Sequence, residues 1–187
     1  MNVAPWTCML LSIAALTGDE TIHVAVCNPG HLPDGSVRRA EASLSAVFHR
    51  VGVEVVQAKC GSGPVSEEAM SRHWFTIRLR ADRPPSTPSP VSLDMLGRAF
   101  VGPEGGYMAD VYYRVVQSLA ARTGSDADAV IGCVMAHELG HLLLGPGHVP
   151  DGIMRASWST GDLEAIRKRW LLFNRAQNAG IRRELRG

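Results

Sequence analysis

Hydrophobic residues in the first half of the chain follow strand-like patterns, with one helical segment between them. In residues 34–50 the apolar side chains recur at helical spacing, which predicts a helix with one buried face. The other apolar runs are short, rich in β-branched or aromatic residues, or alternate with polar ones, as strands do. The predicted strands cover residues 21–27, 53–56, 74–80, 99–101 and 107–113, the last of them a candidate edge strand.

The second half of the chain is predicted to be mostly helical. A first helix covers residues 113–123, and a longer one begins at Ser125 or Asp126 and runs to about Leu144, where Gly145 and Pro146 end it. Two further helices are indicated by capping-box pairs, Ser159 with Asp162 and Asn174 with Gln177. The pattern predicts an α/β (α+β) fold with a small mixed sheet and a helical C-terminal part, formed by a single domain over residues 19–187.

Composition narrows the functional classes. The 187 residues include 19 basic and 18 acidic ones, a formal net charge of +1. A dedicated nucleic-acid binder usually carries a basic excess, so no nucleic-acid partner is expected. Four cysteines are too few for a fold built on disulfides.

The first 18 residues carry no charged side chain, and residues 6–16 form an apolar run of the length found in export signals. We predict a signal peptide over residues 1–18 and a secreted or periplasmic protein, although a buried first strand would explain the same stretch. The mature chain is expected to lack a membrane span and to be a monomer. In an oxidising compartment Cys27 and Cys60 could pair, and two free thiols are the equal alternative.

The candidate chemistry lies in the sequence His137-Glu138-Leu139-Gly140-His141 on the long predicted helix. Residues four apart on a helix point the same way, so His137 and His141 can bind one Zn²⁺. Glu138, beside the first ligand, can reach the water that the metal activates and act as general base.

The residues that follow extend the motif. Gly145 permits a turn, His148 arrives as a third candidate ligand, and Gly152-Ile153-Met154 forms a tight turn that ends in methionine. This combination resembles the metzincin zinc metallopeptidases, and HELGHLLLGPGHVPDGIM is similar to a group of small bacterial predicted metallopeptidases. The resemblance implies a metzincin-like zincin fold, and it implies that Met154 packs beneath the three ligands without touching the metal.

The spacing departs from the metzincin pattern HExxHxxGxxH, because Leu144 stands where the glycine is expected and both Gly145 and His148 come one residue late. An extra helical residue turns the helix exit by about 100°. The third ligand is therefore predicted to be His148, with three carboxylates as alternatives: Asp151, Asp162 and Glu164.

These residues predict a zinc-dependent metalloendopeptidase that hydrolyses a protein or peptide with a Glu138-assisted, zinc-bound water. The tyrosine that commonly follows the methionine of metzincins is replaced by Ala156, so the candidates for oxyanion or substrate contacts are Arg155, Tyr107, Tyr112 and Tyr113. Two alternatives remain: a metal-dependent endoribonuclease with the same three histidines, and a non-catalytic zinc-binding protein.

Overall fold

The structure is a computed structural model that describes residues 20–61, 73–84, 95–103 and 105–187. The predicted signal peptide lies outside these residues. The strands are β1 Glu20–Cys27, β2 Val53–Ala58, β3 Trp74–Arg80, β4 Gly97–Gly102 and β5 Gly105–Tyr112. The helices are α1 Asp34–His49, α2 Tyr113–Thr123, α3 Ala127–Leu144, α4 Thr160–Arg167 and α5 Arg175–Arg186.

The five strands form one mixed sheet in the order β2-β1-β3-β5-β4. β1 pairs parallel with β2 and β3, β3 pairs parallel with β5, and β4 pairs antiparallel with β5. The prediction that residues 107–113 form an edge strand is wrong, because β5 lies inside the sheet and β4 forms its edge. Alternation of side chains tells which faces of a strand are buried, and it carries no information on which strand becomes its neighbour.

One face of the sheet is covered by α1 and α3, which also pack against each other. The alternating residues Phe75, Ile77 and Leu79 of β3 are buried on this face. α3 is apolar on nearly all sides, as expected of a central core helix. Among the described residues α3 is the one helix long and apolar enough to cross a bilayer, but 78% of it is buried inside the fold.

The helix boundaries follow the local signals in the sequence. The Asp126 side chain accepts hydrogen bonds from the N–H groups of Asp128 and Ala129 at the start of α3. The two predicted capping boxes also form and begin α4 and α5. Each cap satisfies backbone donors that the first turn of a helix leaves free, and this fixes where the helix starts.

Cys27 and Cys60 form a disulfide that joins the end of β1 to the segment after β2. A structural disulfide is typical of oxidising compartments. Cys133, one turn before His137, is a free and buried thiol. Burial raises the pKa of Cys133 to about 12, so this side chain is a protonated packing element of the core.

Candidate metal centre

The centre is built on α3, whose geometry brings two imidazoles together. His137 and His141 are one turn apart, and their Nε2 atoms lie 3.1 Å from each other. The His141 residue is 9% exposed and His137 is half-buried, so both rings stand at the boundary between the core and a cleft. The placement follows directly from the spacing of four residues.

His148 joins this pair through the loop that follows α3. Gly145 closes the helix at φ 84° and Gly147 has φ 146°, both in the region that favours glycine. These two residues turn the chain so that the His148 Nε2 lies 3.2 Å from the His141 Nε2. The loop thus compensates for the extra helical residue, and the ligand atoms of the three histidines all lie within 4.8 Å of one another.

Backbone carbonyls orient two of the rings. The Nδ1 of His137 lies 2.7 Å from the carbonyl oxygen of Ile153, and the Nδ1 of His141 lies 3.4 Å from that of Gly145. A carbonyl oxygen only accepts, so each Nδ1 must donate the proton. Each Nε2 then directs its lone pair toward the other histidines, an arrangement that suits a shared cation.

Burial keeps these rings neutral. It lowers the pKa of His137 to about 4 and also lowers the pKa of His141. At neutral pH a metal ion would therefore displace no proton from His137. The nitrogen separations of 3.1 and 3.2 Å are close to the roughly 3.3–3.4 Å expected for two nitrogens about 2.0–2.1 Å from a tetrahedral Zn²⁺. The donor set fits zinc.

The carboxylates considered as alternative third ligands have other partners. The Asn174 amide donates to Asp151, and Arg155 pairs with Asp162 at 3.1 Å. Glu164 is bound by Arg167 and Lys168 on the exposed side of α4. None of the three belongs to the histidine group.

Glu138 lies beside this group and is nearly inaccessible, with 5% of its surface exposed. Burial raises the pKa of Glu138 to about 8, and a hydrogen bond from the Ala99 N–H opposes this shift. A cation at the histidines would likewise favour the ionised carboxylate. The environment therefore suits a group that takes up and gives back a proton near neutral pH.

Gly97 on β4 is a functional position that the sequence did not reveal. A Cβ atom there would lie 2.6 Å from Oε1 and 2.8 Å from Cγ of Glu138, and 2.9 Å from the Asp110 carbonyl oxygen. Only a residue without a side chain lets the edge strand approach the carboxylate this closely. No local sequence pattern indicated this contact, because Gly97 and Glu138 are distant in sequence.

The substitution Gly97→Ala is expected to displace Glu138 or β4 and to lower kcat of the hydrolytic reaction at this centre by about 100-fold, since a shift of about 1 Å has this effect. Zinc content should not change. Gly102→Ala on the same strand is the matched control, because the nearest atom to its Cβ would be 3.7 Å away. Steady-state kinetics with metal analysis measures both, and full activity in Gly97→Ala would contradict the assigned contact.

The three histidines and Glu138 face a cleft of about 680 Å³. Residues of β4 and residues 155–158 line this cleft. Of the four candidates for oxyanion or substrate contacts, Arg155 lines the cleft and the three tyrosines do not. The Tyr113 hydroxyl donates to the Gly30 carbonyl, Tyr112 is buried, and Tyr107 is 66% exposed.

Met154 is buried against the helix that carries the first two histidines. It is 2% exposed, and its sulfur would be 2.5 Å from a Cβ atom at Gly140, the glycine of the HExxH segment. The same turn positions the Ile153 carbonyl, which accepts from His137 and also from the Trp158 indole N–H at 3.1 Å. The turn thus supports α3 and orients its first histidine.

The mixed five-stranded sheet and its helices form an α/β fold that matches an archaemetzincin-like fold. The crystal structure of archaemetzincin from Methanopyrus kandleri is similar, with a TM-score of 0.52 and 21% sequence identity over 90% of this chain and 97% of that chain. No protein-family model matches the chain, and no curated protein matches it. The fold and the three histidines together indicate a metallohydrolase centre suited to zinc.

Proposed function

We propose that the protein is a zinc-dependent metallopeptidase whose centre consists of His137, His141, His148 and Glu138. The observation that supports this most is the convergence of three Nε2 atoms next to a buried carboxylate at the floor of an open cleft. A purely structural zinc site is normally closed by a fourth protein ligand and has no use for a general base. Among the described residues, the histidine group has three members and no fourth.

The three histidines would hold the metal through their Nε2 atoms. When bound, zinc supplies a Lewis acid that polarises the scissile carbonyl and makes water more acidic. The Glu138 carboxylate takes a proton from the attacking water, whose oxygen bonds to the carbonyl carbon. Glu138 then delivers this proton to the leaving amine as the C–N bond breaks.

The edge strand β4 is suited to hold the substrate. It lines the cleft, and its Gly97 lies against Glu138. An edge strand has unpaired backbone groups on its outer side, and an extended peptide can pair with them. β5 cannot pair with a substrate in this way, because it is paired on both sides within the sheet.

The proposal is tested with the full zinc-loaded chain on a mixed peptide library and, in parallel, on single- and double-stranded RNA. Cleavage of peptides that stops on chelation and returns with Zn²⁺ is the expected result. RNA cleavage without peptide cleavage would make the protein a nuclease. Stoichiometric zinc binding without any cleavage would make it a non-catalytic zinc protein.

A further inference from the structure

The cleft carries an unbalanced charge. Three arginines line it, Arg98, Arg122 and Arg155, whereas Glu138 is the one carboxylate among its described lining residues. Glu138 is committed to the proton transfer in the proposed function. Whether one of these arginines can attract a charged substrate side chain depends on the contacts that its guanidinium already makes within the protein.

Two of these arginines are already engaged. Arg98 is in register with Asp110 and so lies on the sheet face opposite α3, where its guanidinium stands 5.3 Å from the centre of the Phe100 ring. Arg155 pairs with Asp162 at 3.1 Å, and Asp162 is also fixed by the capping box of α4. Arg155 is thus neutralised by a carboxylate, whereas Arg98 forms no ion pair with a described carboxylate and keeps its guanidinium beside the Phe100 ring, on the sheet face away from α3.

Arg122 is different. It is exposed in the last turn of α2 and makes no ion pair with any carboxylate in the described ranges. Two apolar residues line the same cleft: Leu119, one turn before Arg122 on α2, and Val134, one turn before His137 on α3. The result is an apolar patch with one free guanidinium, within the same cavity as the histidines.

We infer that Arg122 makes this cleft selective for peptides with an aspartate or glutamate side chain at one position near the cleaved bond. The inference rests on the proposed peptidase function. A substrate carboxylate can accept two parallel hydrogen bonds from the guanidinium, whereas a lysine or arginine in the substrate is repelled. The aliphatic part of the acidic side chain packs on Leu119 and Val134.

A nucleic acid is a poorer match for this surface. Phosphate-backbone binding requires several cations along a track. Of the three arginines in the cleft, Arg155 is paired with Asp162 and Arg98 lies on the sheet face away from α3. The near-neutral total charge of +1 gives no wider field to attract RNA. A single charge in an apolar setting selects one side chain, which is the kind of recognition that a peptidase needs.

The experiment measures kcat/KM of the zinc-loaded full chain for matched peptides that carry Asp, Asn or Lys at each position around the cleaved bond. At one position Asp should exceed Asn by about fivefold, the size that an exposed ion pair supplies. Arg122→Gln should abolish this preference, and Arg122→Glu should reverse it in favour of Lys. The preference should shrink at 1 M salt.

Arg114→Glu is the matched control, since Arg114 lies on the same helix, pairs with Asp82 on the exposed surface and does not line the cleft. It changes the net charge equally and should retain the preference. Peptide cleavage without any acidic preference, or a preference that Arg122→Glu leaves intact, refutes the inference alone. Failure of the parent chain to cleave any peptide refutes the proposed function and the inference with it, as does RNA cleavage that Arg122→Glu slows.

Discussion

Glu138→Gln is expected to keep one zinc ion per chain and to reduce peptide cleavage by about 100- to 10,000-fold, the range supplied by a general base. The replacement keeps the shape of a side chain that is 5% exposed and packed against Gly97. It removes the group that accepts the proton, and it leaves the three imidazoles unchanged. The loss should therefore fall on kcat, with little change in zinc affinity.

Metal content by mass spectrometry and kcat on a cleaved library peptide test this expectation together. Glu164→Gln is the control, because Glu164 is an exposed carboxylate on α4 that pairs with Arg167 and lies outside the histidine group. It should behave as the parent chain does. Cleavage that persists at the parent rate in Glu138→Gln would rule out the proposed mechanism.

His148→Ala is expected to weaken zinc binding by more than about 100-fold, since the loss of an outer-shell partner alone costs up to about 100-fold. The side chain is exposed and lies on a loop, so its removal should leave the fold intact. His137 and His141 remain paired on α3, which leaves a weak two-histidine site. Peptide cleavage should be lost at limiting zinc and partly recovered at high zinc concentration.

Competition titration with a chromogenic chelator measures the zinc affinity of this variant. His49→Ala removes a histidine at the exposed end of α1, outside the histidine group, and serves as the control. A larger loss of affinity in Glu164→Gln than in His148→Ala would show that the third ligand had been assigned to the wrong residue.

Much of the fold could be predicted from the sequence because its signals are local. The alternation in residues 74–80 predicted β3, and the caps at Asp126, Ser159 and Asn174 predicted where three helices begin. Each of these signals acts within a few residues along the chain. A large apolar side chain is not by itself a signal for the core, since Trp170 is 69% exposed just beyond α4.

The candidate centre was likewise predictable from the sequence only in part. The sequence by itself determined that His137, Glu138 and His141 stand together on one helix, because the helical repeat fixes the directions of residues four apart. Only the tertiary structure decided that His148 completes the group, since this depends on the backbone angles of Gly145 and Gly147. It also decided that β4, through Gly97, meets Glu138, because strand order and contacts between distant segments arise from packing of the whole chain and leave no local pattern in the sequence.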